Sequence, residues 1–439
     1  MQPTEPALAW GLPFAGLLAS MAMFPIVAPR FWHRRMGGIA FAWSAVLLAQ
    51  QAVVSGPVAA AVAAGHALLA DYLPFIALLL ALYATGGGVF LRGGLAGTPA
   101  GNTAMLAIGM AMGAVMGTTG ASMVLIHPLL RANAHRRRKV HLVLFLIVLV
   151  ANASGALTPL GNPPLYLGLL HGVPFFWPAR HLLAPLLVVT GTLLAVFYLI
   201  DRRLAANEAP APRPERFRVR GLGNAALVLL VVLVVLGQGF VPAWDIILLG
   251  QAISPVKFAG VLVLLMITLV SVAFTPRAIR QSNDFTWHPM GEVAMLFAAI
   301  FITIGPVITM LRSGTDGPLA PLMQLSRDGN GQPWPLAYFW LTGILSAFLD
   351  NAPTYLVFFE LAGIRPPELP GADGATLAAI SAGAVFFGGL TYIGNAPNMM
   401  LRAIAAHRGV RMPGFFGFTL LASVSLLPVL TVVGLMFFM

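Results

Sequence analysis

The sequence lacks cysteine and contains few charged residues. With no cysteine among 439 residues, disulfides, thiol catalysis and cysteine metal sites are excluded. Charged residues make up 9% of the chain, whereas a soluble domain has about 25%. Hydrophobic residues make up 59%, so a chain of this length could not cover a water-facing surface. The composition therefore predicts an all-α polytopic membrane protein.

Signatures of catalysis are also missing from the sequence. None of the nine histidines forms an HxxxH pair on an apolar segment, and no Gly-x-x-x-x-Gly-Lys phosphate loop occurs. These absences indicate that the chain is not an enzyme and needs no organic cofactor.

Long apolar segments dominate what is present. A helix needs about 20 apolar residues to cross the hydrocarbon core of a bilayer. Two stretches, 101–130 and 335–362, are interrupted by polar and turn residues and predict re-entrant hairpins. The remaining apolar segments predict about ten transmembrane helices, at 7–28, 38–64, 71–91, 140–170, 182–200, 224–241, 243–274, 291–311, 375–406 and 415–438.

The distribution of basic residues predicts how the chain is oriented in the membrane. Of the 25 Lys and Arg residues, 20 fall in loops that the predicted path places on one side. Such a bias marks the cytoplasmic side and predicts an N-terminus outside. It also accounts for the net charge of +11, so the bilayer is the expected partner and nucleic acid is not.

The two halves of the chain share an octapeptide. Residues 157–164 read LTPLGNPP and residues 390–397 read LTYIGNAP, with five identities at an interval of 233 positions. Each copy lies in an overlong segment (140–170 or 375–406) that follows a hairpin stretch. We therefore expect a first repeat at 1–200, a cytoplasmic linker at 201–223 and a second repeat at 224–439. Five crossings per half would invert the second repeat, an arrangement typical of secondary transporters.

Each octapeptide is expected to interrupt its helix within the membrane. Proline removes a backbone donor and glycine weakens the helix, which frees carbonyls for a cation and helix N-termini for an anion. A simple packing kink is the alternative interpretation. The candidate substrate-binding or ion-binding residues, which would also hold a sodium-like cation, are Thr118, Thr119, Ser122, Thr158, Gly161 and Asn162 in the first half, and Asn351, Thr354, Thr391, Gly394 and Asn395 in the second.

Asp350 is the candidate carrier of a proton or cation. A carboxylate inside an apolar stretch is costly and is by default a functional candidate. Asp350 could instead cap the helix that starts near Pro353, and both roles are compatible. The roles of two other residues stay undecided. Glu292 either begins a helix or binds an ion, and His127 either packs at a helix kink or binds a proton.

Four stretches resemble the ion transporter superfamily, which includes arsenite permeases, NhaD-type sodium/proton antiporters and citrate and dicarboxylate transporters. They are similar above all to the bacterial branch of citrate transporter-like and sodium/proton antiporter-like proteins. The stretches are GTTGASMVLIHPLLRANAHRRRKVH (117–141), SGALTPLGNPPLYLG (154–168), FLDNAPTYLVFF (348–359) and TYIGNAPNMM (391–400).

The resemblance implies the location of the sites and of the protein. The sodium and substrate sites would include Thr118, Thr119, Ser122 and Asn162 in one half and Asp350, Asn351, Thr354 and Asn395 in the other. It also implies a bacterial inner membrane location, a homodimer and an elevator-like transport domain. The hairpin-tip sequence Leu-Asp-Asn at 349–351 is more similar to the antiporters than to the dicarboxylate carriers. The tips of the dicarboxylate carriers read Ser-Asn-Thr, and neither hairpin tip of this chain contains that sequence. Close relatives often carry Asp where this chain has Asn162, so this chain would have one less membrane acid.

The leading hypothesis is a sodium (or similar cation):proton antiporter that works by alternating access, with Asp350 as the carrier. Its coupling ions would be Na⁺, H⁺ or both. The alternative is cation-coupled symport of citrate or another carboxylate. No Lys or Arg lies within the core motifs to hold such an anion, although helix N-termini could do so.

Overall fold

The fold is almost entirely helical in the computed structural model, which describes residues 8–93, 95–212, 218–240, 246–248, 251–314, 317–366 and 372–439. In these ranges, ten helices are long and apolar enough to cross a membrane. The only strands described form two short antiparallel pairs. The prediction of an all-α polytopic membrane protein is confirmed.

The first half of the chain contains nine α-helices and one strand. A 3₁₀ turn, Leu8–Gly11, precedes them. The elements are α1 (Leu12–Val27), α2 (Pro29–Ser55), α3 (Pro57–His66), α4 (Leu73–Gly86), β1 (Phe90–Arg92), α5 (Pro99–Met116), α6 (Thr118–Ala132), α7 (Val140–Phe145), α8 (Pro163–Leu170) and α9 (Trp177–Ala205).

The second half contains the remaining elements. They are β2 (Arg218–Arg220), α10 (Leu222–Phe240), β3 (Ile246–Leu248), β4 (Gln251–Ile253), α11 (Pro255–Phe274), α12 (Arg277–Ser282), α13 (His288–Arg312), α14 (Ala320–Leu325), α15 (Pro335–Phe348), α16 (Asn351–Leu361), α17 (Ala372–Phe386), α18 (Ala396–His407) and α19 (Phe415–Phe437).

Two predicted segments have different boundaries in the structure. The segment 38–64 is divided at Gly56, whose φ of +89° ends α2, and Pro57 begins α3. A π-helical stretch, Ala67–Tyr72, joins α3 to α4. The sequence predicts one transmembrane segment over 243–274, but α11 starts only at Pro255, after the β3–β4 pair. A uniformly apolar sequence indicates that helices are present but not where each helix ends.

The segment 201–223 does more than connect the two halves. Helix α9 continues to Ala205, and β2 pairs with β1 so that Leu91 lies opposite Val219. Residues 213–217 lie outside the described ranges. Strand pairing between distant segments depends on tertiary contacts, so the local sequence could not reveal it.

Both hairpin stretches fold as two helical arms joined at a short turn. Gly117, at φ +78°, joins α5 to α6, a conformation that glycine adopts without steric cost. Leu349 and Asp350 join α15 to α16.

Both octapeptides interrupt a helix. After α7, the chain continues through a π turn and a 3₁₀ turn to Ala156, and α8 begins at Pro163. After α17, a 3₁₀ turn runs to Leu390, and α18 begins at Ala396. The residues between are not helical, in agreement with the expected effect of Gly, Asn and Pro.

The same contacts support both interruptions. Thr158 Oγ1 donates to the carbonyl of Ala114 in α5, and Thr391 Oγ1 donates to the carbonyl of Ala347 in α15, at 2.5 Å. Each threonine hydroxyl also accepts the N–H of the glycine three residues later, at 3.1 Å. These contacts recur at the 233-residue interval of the sequence repeat. Each break is thus tied to the first arm of its own hairpin.

We predict that alanine at either glycine of the breaks destabilises the protein. A Cβ at Gly161 would lie 2.7 Å from the carbonyl oxygen of Gly155, and one at Gly394 would lie 2.8 Å from that of Gly388. Because both neighbours are backbone atoms, we expect Gly161→Ala and Gly394→Ala each to lower the free energy of unfolding by about 1–3 kcal/mol. Thermal unfolding in detergent measures the change.

The control for this prediction is Gly191→Ala in α9. A Cβ there meets no atom within 4 Å, so alanine should be neutral or slightly stabilising. Equal thermal stability of all three variants would contradict close packing at the breaks.

Candidate functional site

A cavity of about 80 Å³ lies where the hairpin turns and the helix breaks meet. Thr118 and Thr119 from the start of α6, Gly161 from the first break, Asp350 from the second hairpin and Asn395 from the second break line it. Apolar residues of α4, α13 and α18 supply other parts of the wall, including Leu79, Leu82, Met290, Val293, Phe297 and Met400. Tertiary folding therefore brings five of the predicted residues from both halves to one cavity.

Four helices begin at this cavity or beside it. They are α6, α8, α16 and α18, with N-caps at Gly117, Asn162, Asp350 and Asn395 respectively. The first turn of a helix has unpaired N–H groups and a partial positive charge. The cavity is therefore surrounded by backbone dipoles that favour negative charge.

Asp350 is the only carboxylate among the lining residues that the structure describes, and no Lys, Arg or His occurs among them. Its side chain accepts the N–H of Ala352 at 3.3 Å, which makes it the N-cap of α16. The capping interpretation and the position beside the cavity therefore both hold. A carboxylate has two oxygens, so it can accept further partners beside this cap.

Two buried asparagines connect the halves next to the cavity. Asn351 Nδ2 donates to Asn162 Oδ1 at 2.8 Å, which joins the second hairpin to the first break. Within the described ranges, Asn162 Nδ2, Asn351 Oδ1 and the Ser122 hydroxyl are buried without a hydrogen-bond partner. A buried polar atom without a partner is costly, so these atoms are suited to a ligand or a water molecule.

Other predicted residues support the local backbone instead. Thr158 and Thr391 bond to the hairpin carbonyls described above, and Gly394 packs against backbone oxygens. Thr354 Oγ1 donates to the carbonyl of Asp350 at 3.1 Å. None of these four lines the cavity, and their role as ligands stays a prediction.

A second group of asparagines was missed by the sequence analysis. Asn152 Nδ2 donates to Asn398 Oδ1 at 2.9 Å, and Asn152 Oδ1 accepts from Asn395 at 3.1 Å. Asn398 also donates to the carbonyl of Thr391 at 2.9 Å. This network holds the second break against the first half. Asn398, three residues after Asn395 and so on the same side of α18, was the signal available in the sequence.

Glu292 and His127, whose roles the sequence left open, do not line the cavity. Glu292 Oε1 is 3.3 Å from His33 Nδ1 and 3.5 Å from His288 Nδ1, near the start of α13. His127 is buried, and its Nε2 lies 3.9 Å from Asp284 Oδ2. In the described ranges, no cluster of three His, Asp or Glu residues could hold a metal ion.

A buried cluster centred on Asp201 was also missed. Asp201 in α9 is fully buried and forms an ion pair with Arg136. It accepts from Asn102 Nδ2 at 2.8 Å and lies 2.9 Å from His141 Nε2. The cluster therefore ties α5 and the loop after α6 to the end of α9.

We predict that Arg136→Leu destabilises the protein by about 3–5 kcal/mol, because it leaves the Asp201 charge buried without its cation. Thermal unfolding in detergent measures this, with Arg202→Leu at an exposed neighbouring position as the control. The double variant R136L/D201L should regain part of the loss. A stable R136L protein would show that the pair is not needed.

The comparisons with known proteins bear on the whole chain. The model of a family described as "Putative citrate transport" matches residues 4–438. No curated protein matches the chain. Because the family match covers nearly every residue, the chain belongs to this citrate-transport family, within the ion transporter superfamily, and is a multi-pass membrane transport protein.

Proposed function

We propose that the chain is a secondary transporter that exchanges sodium, or a similar cation, for protons, with Asp350 as the carrier. The observation that carries the proposal is the single carboxylate in a cavity whose described lining contains no basic side chain. A lone carboxylate holds either a proton or a cation, because binding of the cation disfavours the protonated form. This competition is the basis of exchange.

The neighbouring groups suit a small cation. Hydroxyls of Thr118 and Thr119, the amide of Asn395 and backbone carbonyls of the breaks are oxygen ligands of the kind that hard cations prefer. The cavity of about 80 Å³ is small, since pockets for drug-sized ligands measure about 300–1,000 Å³. Its size supports an ion with a few waters as the occupant in this conformation.

Alternating access would follow from two inverted repeats, residues 1–200 and 224–439. The contacts that recur at an interval of 233 residues support this arrangement, as does the single cavity shared by both breaks. In transporters of that architecture, one repeat or bundle moves against the other around a central site. We propose a location in a bacterial inner membrane, as the resemblance implies, with the N-terminus outside, as the distribution of basic residues indicates.

We predict that Asp350→Asn abolishes exchange. Asparagine keeps the size of the side chain and an oxygen that can cap α16, but it neither ionises nor binds a proton in this pH range. Purified protein in liposomes, with a pH gradient imposed and movement of labelled sodium recorded, should show at least a tenfold loss of flux. The cap of α16 should be largely preserved, so thermal unfolding should change by less than about 1 kcal/mol.

Asp373→Asn is the matched control, because Asp373 is an exposed acid at the start of α17 and lies away from the cavity. It should exchange sodium at the wild-type rate. Normal flux in Asp350→Asn would remove this carboxylate from the mechanism, and no cation movement in the wild-type protein would contradict antiport.

Cation-coupled symport of a carboxylate is the second candidate. The family match favours it, and so do the four helix N-termini at the cavity, which would neutralise an anion without basic side chains. Asp350 would then hold the coupling cation.

The two candidates predict different fluxes in the same liposomes. Symport predicts uptake of labelled citrate that requires an inward sodium gradient and saturates with citrate concentration. Antiport predicts sodium movement driven by the pH gradient with no citrate present. Citrate uptake that is unaffected by removal of sodium and by collapse of the pH gradient would contradict cation-coupled symport.

A further inference from the structure

A groove of about 590 Å³ lies between α7, α9 and α19, away from the central cavity. At one end it is lined by four basic residues from two loops, Arg137, Arg138, Lys139 and Arg411. Its floor is apolar and includes Leu144, Phe145, Ile200, Leu204 and Leu421. No Asp or Glu occurs among its lining residues in the described part of the chain.

Two carboxylates hold the first basic loop in place. Asp201 binds Arg136, which directly precedes the basic run 137–139, and His141, which lies two residues after this run. Glu208 accepts the backbone N–H groups of Arg137 and Arg138, each at 3.0 Å. These two hydrogen bonds lower the pKa of the Glu208 carboxyl, so it stays ionised at neutral pH.

The basic side chains themselves remain available. Glu208 is engaged by main-chain donors, and Asp201 is fully buried beneath the loop. Among the residues that the structure describes, no carboxylate oxygen lies within 4.0 Å of a side-chain nitrogen of Arg137, Arg138, Lys139 or Arg411. The groove therefore gathers four positively charged side chains in one place.

The groove lies at the depth where lipid headgroups are expected. Helix α7 starts at Val140 and α19 at Phe415, and α9 ends at Ala205, so the basic residues stand at the ends of these helices. The apolar floor continues from there along α7, α9 and α19. A free anion would use the basic end only, whereas a phospholipid uses both the charged end and the floor.

We propose that this groove binds an anionic phospholipid of the bilayer. Its phosphate is held by the guanidinium groups of Arg137, Arg138 and Arg411 and the ammonium of Lys139, and an acyl chain lies over Ile200, Leu204 and Leu421. Guanidinium groups match phosphate oxygens in geometry and charge. Basic pockets between membrane helices are known to hold such headgroups. The site does not depend on which solute is transported.

The test is native mass spectrometry of the purified full-length protein with added dioleoyl phosphatidylglycerol or dioleoyl phosphatidylcholine. The wild-type protein should retain phosphatidylglycerol in preference to phosphatidylcholine. Each basic residue near an anionic surface contributes about fivefold to binding. The variant R138Q/R411Q should therefore bind phosphatidylglycerol about 25-fold more weakly, with thermal stability in detergent unchanged.

The matched control is R34Q/R35Q, which removes two exposed arginines from α2, outside the groove. This variant should bind phosphatidylglycerol like the wild-type protein. If R138Q/R411Q does not fold, R411Q alone should show the fivefold loss. The floor is tested by Leu421→Asn, which should weaken lipid retention while leaving the charges in place.

Three results would overturn the proposal. One is equal retention of both lipids by the wild-type protein, and another is an equal loss of binding in the groove and control variants. The third is full displacement of phosphatidylglycerol by millimolar inorganic phosphate, which would indicate a site for a free anion instead of a lipid.

Discussion

A backbone group that leaves a helix inside a bilayer must find a partner within the protein, because lipid offers none. This constraint governs the two interrupted helices. At each break a threonine hydroxyl bridges a hairpin carbonyl and the N–H of a glycine, with the same spacing in both halves. The partners that satisfy the breaks come from the hairpins, so each break and its hairpin form one unit.

The central cavity follows from this arrangement. Because each break lies against a hairpin turn, four helix N-termini and several neutral oxygens surround one small space. Backbone dipoles give it a partial positive character, and among its described lining residues only Asp350 can add a negative charge. The site can therefore hold charge although its described lining contains no Lys, Arg or His.

Two acids in different surroundings, Asp201 and Asp350, illustrate how the number of partners bears on the role of a carboxylate. Asp201 is bound by Arg136, Asn102 and His141, which fix its charge and make it part of the framework. Asp350 accepts a long hydrogen bond from the N–H of Ala352 in its own helix and lines the cavity. An acid whose partners are already supplied stabilises a fold, whereas an acid with few partners can serve as the proton or cation carrier that we propose.

The sequence by itself determined the membrane class, the presence of long apolar helices and the places where Gly, Asn and Pro interrupt them, because these depend on composition and local backbone chemistry. It also singled out Thr118, Gly161, Asp350 and Asn395. Only the tertiary structure decided the division at Gly56, the pairing of β1 with β2 and the asparagine network of Asn152. It also brought the basic loops at 137–139 and Arg411 together over an apolar floor. Contacts between distant segments are set by packing geometry. A local sequence pattern does not indicate which distant segment will pack against it.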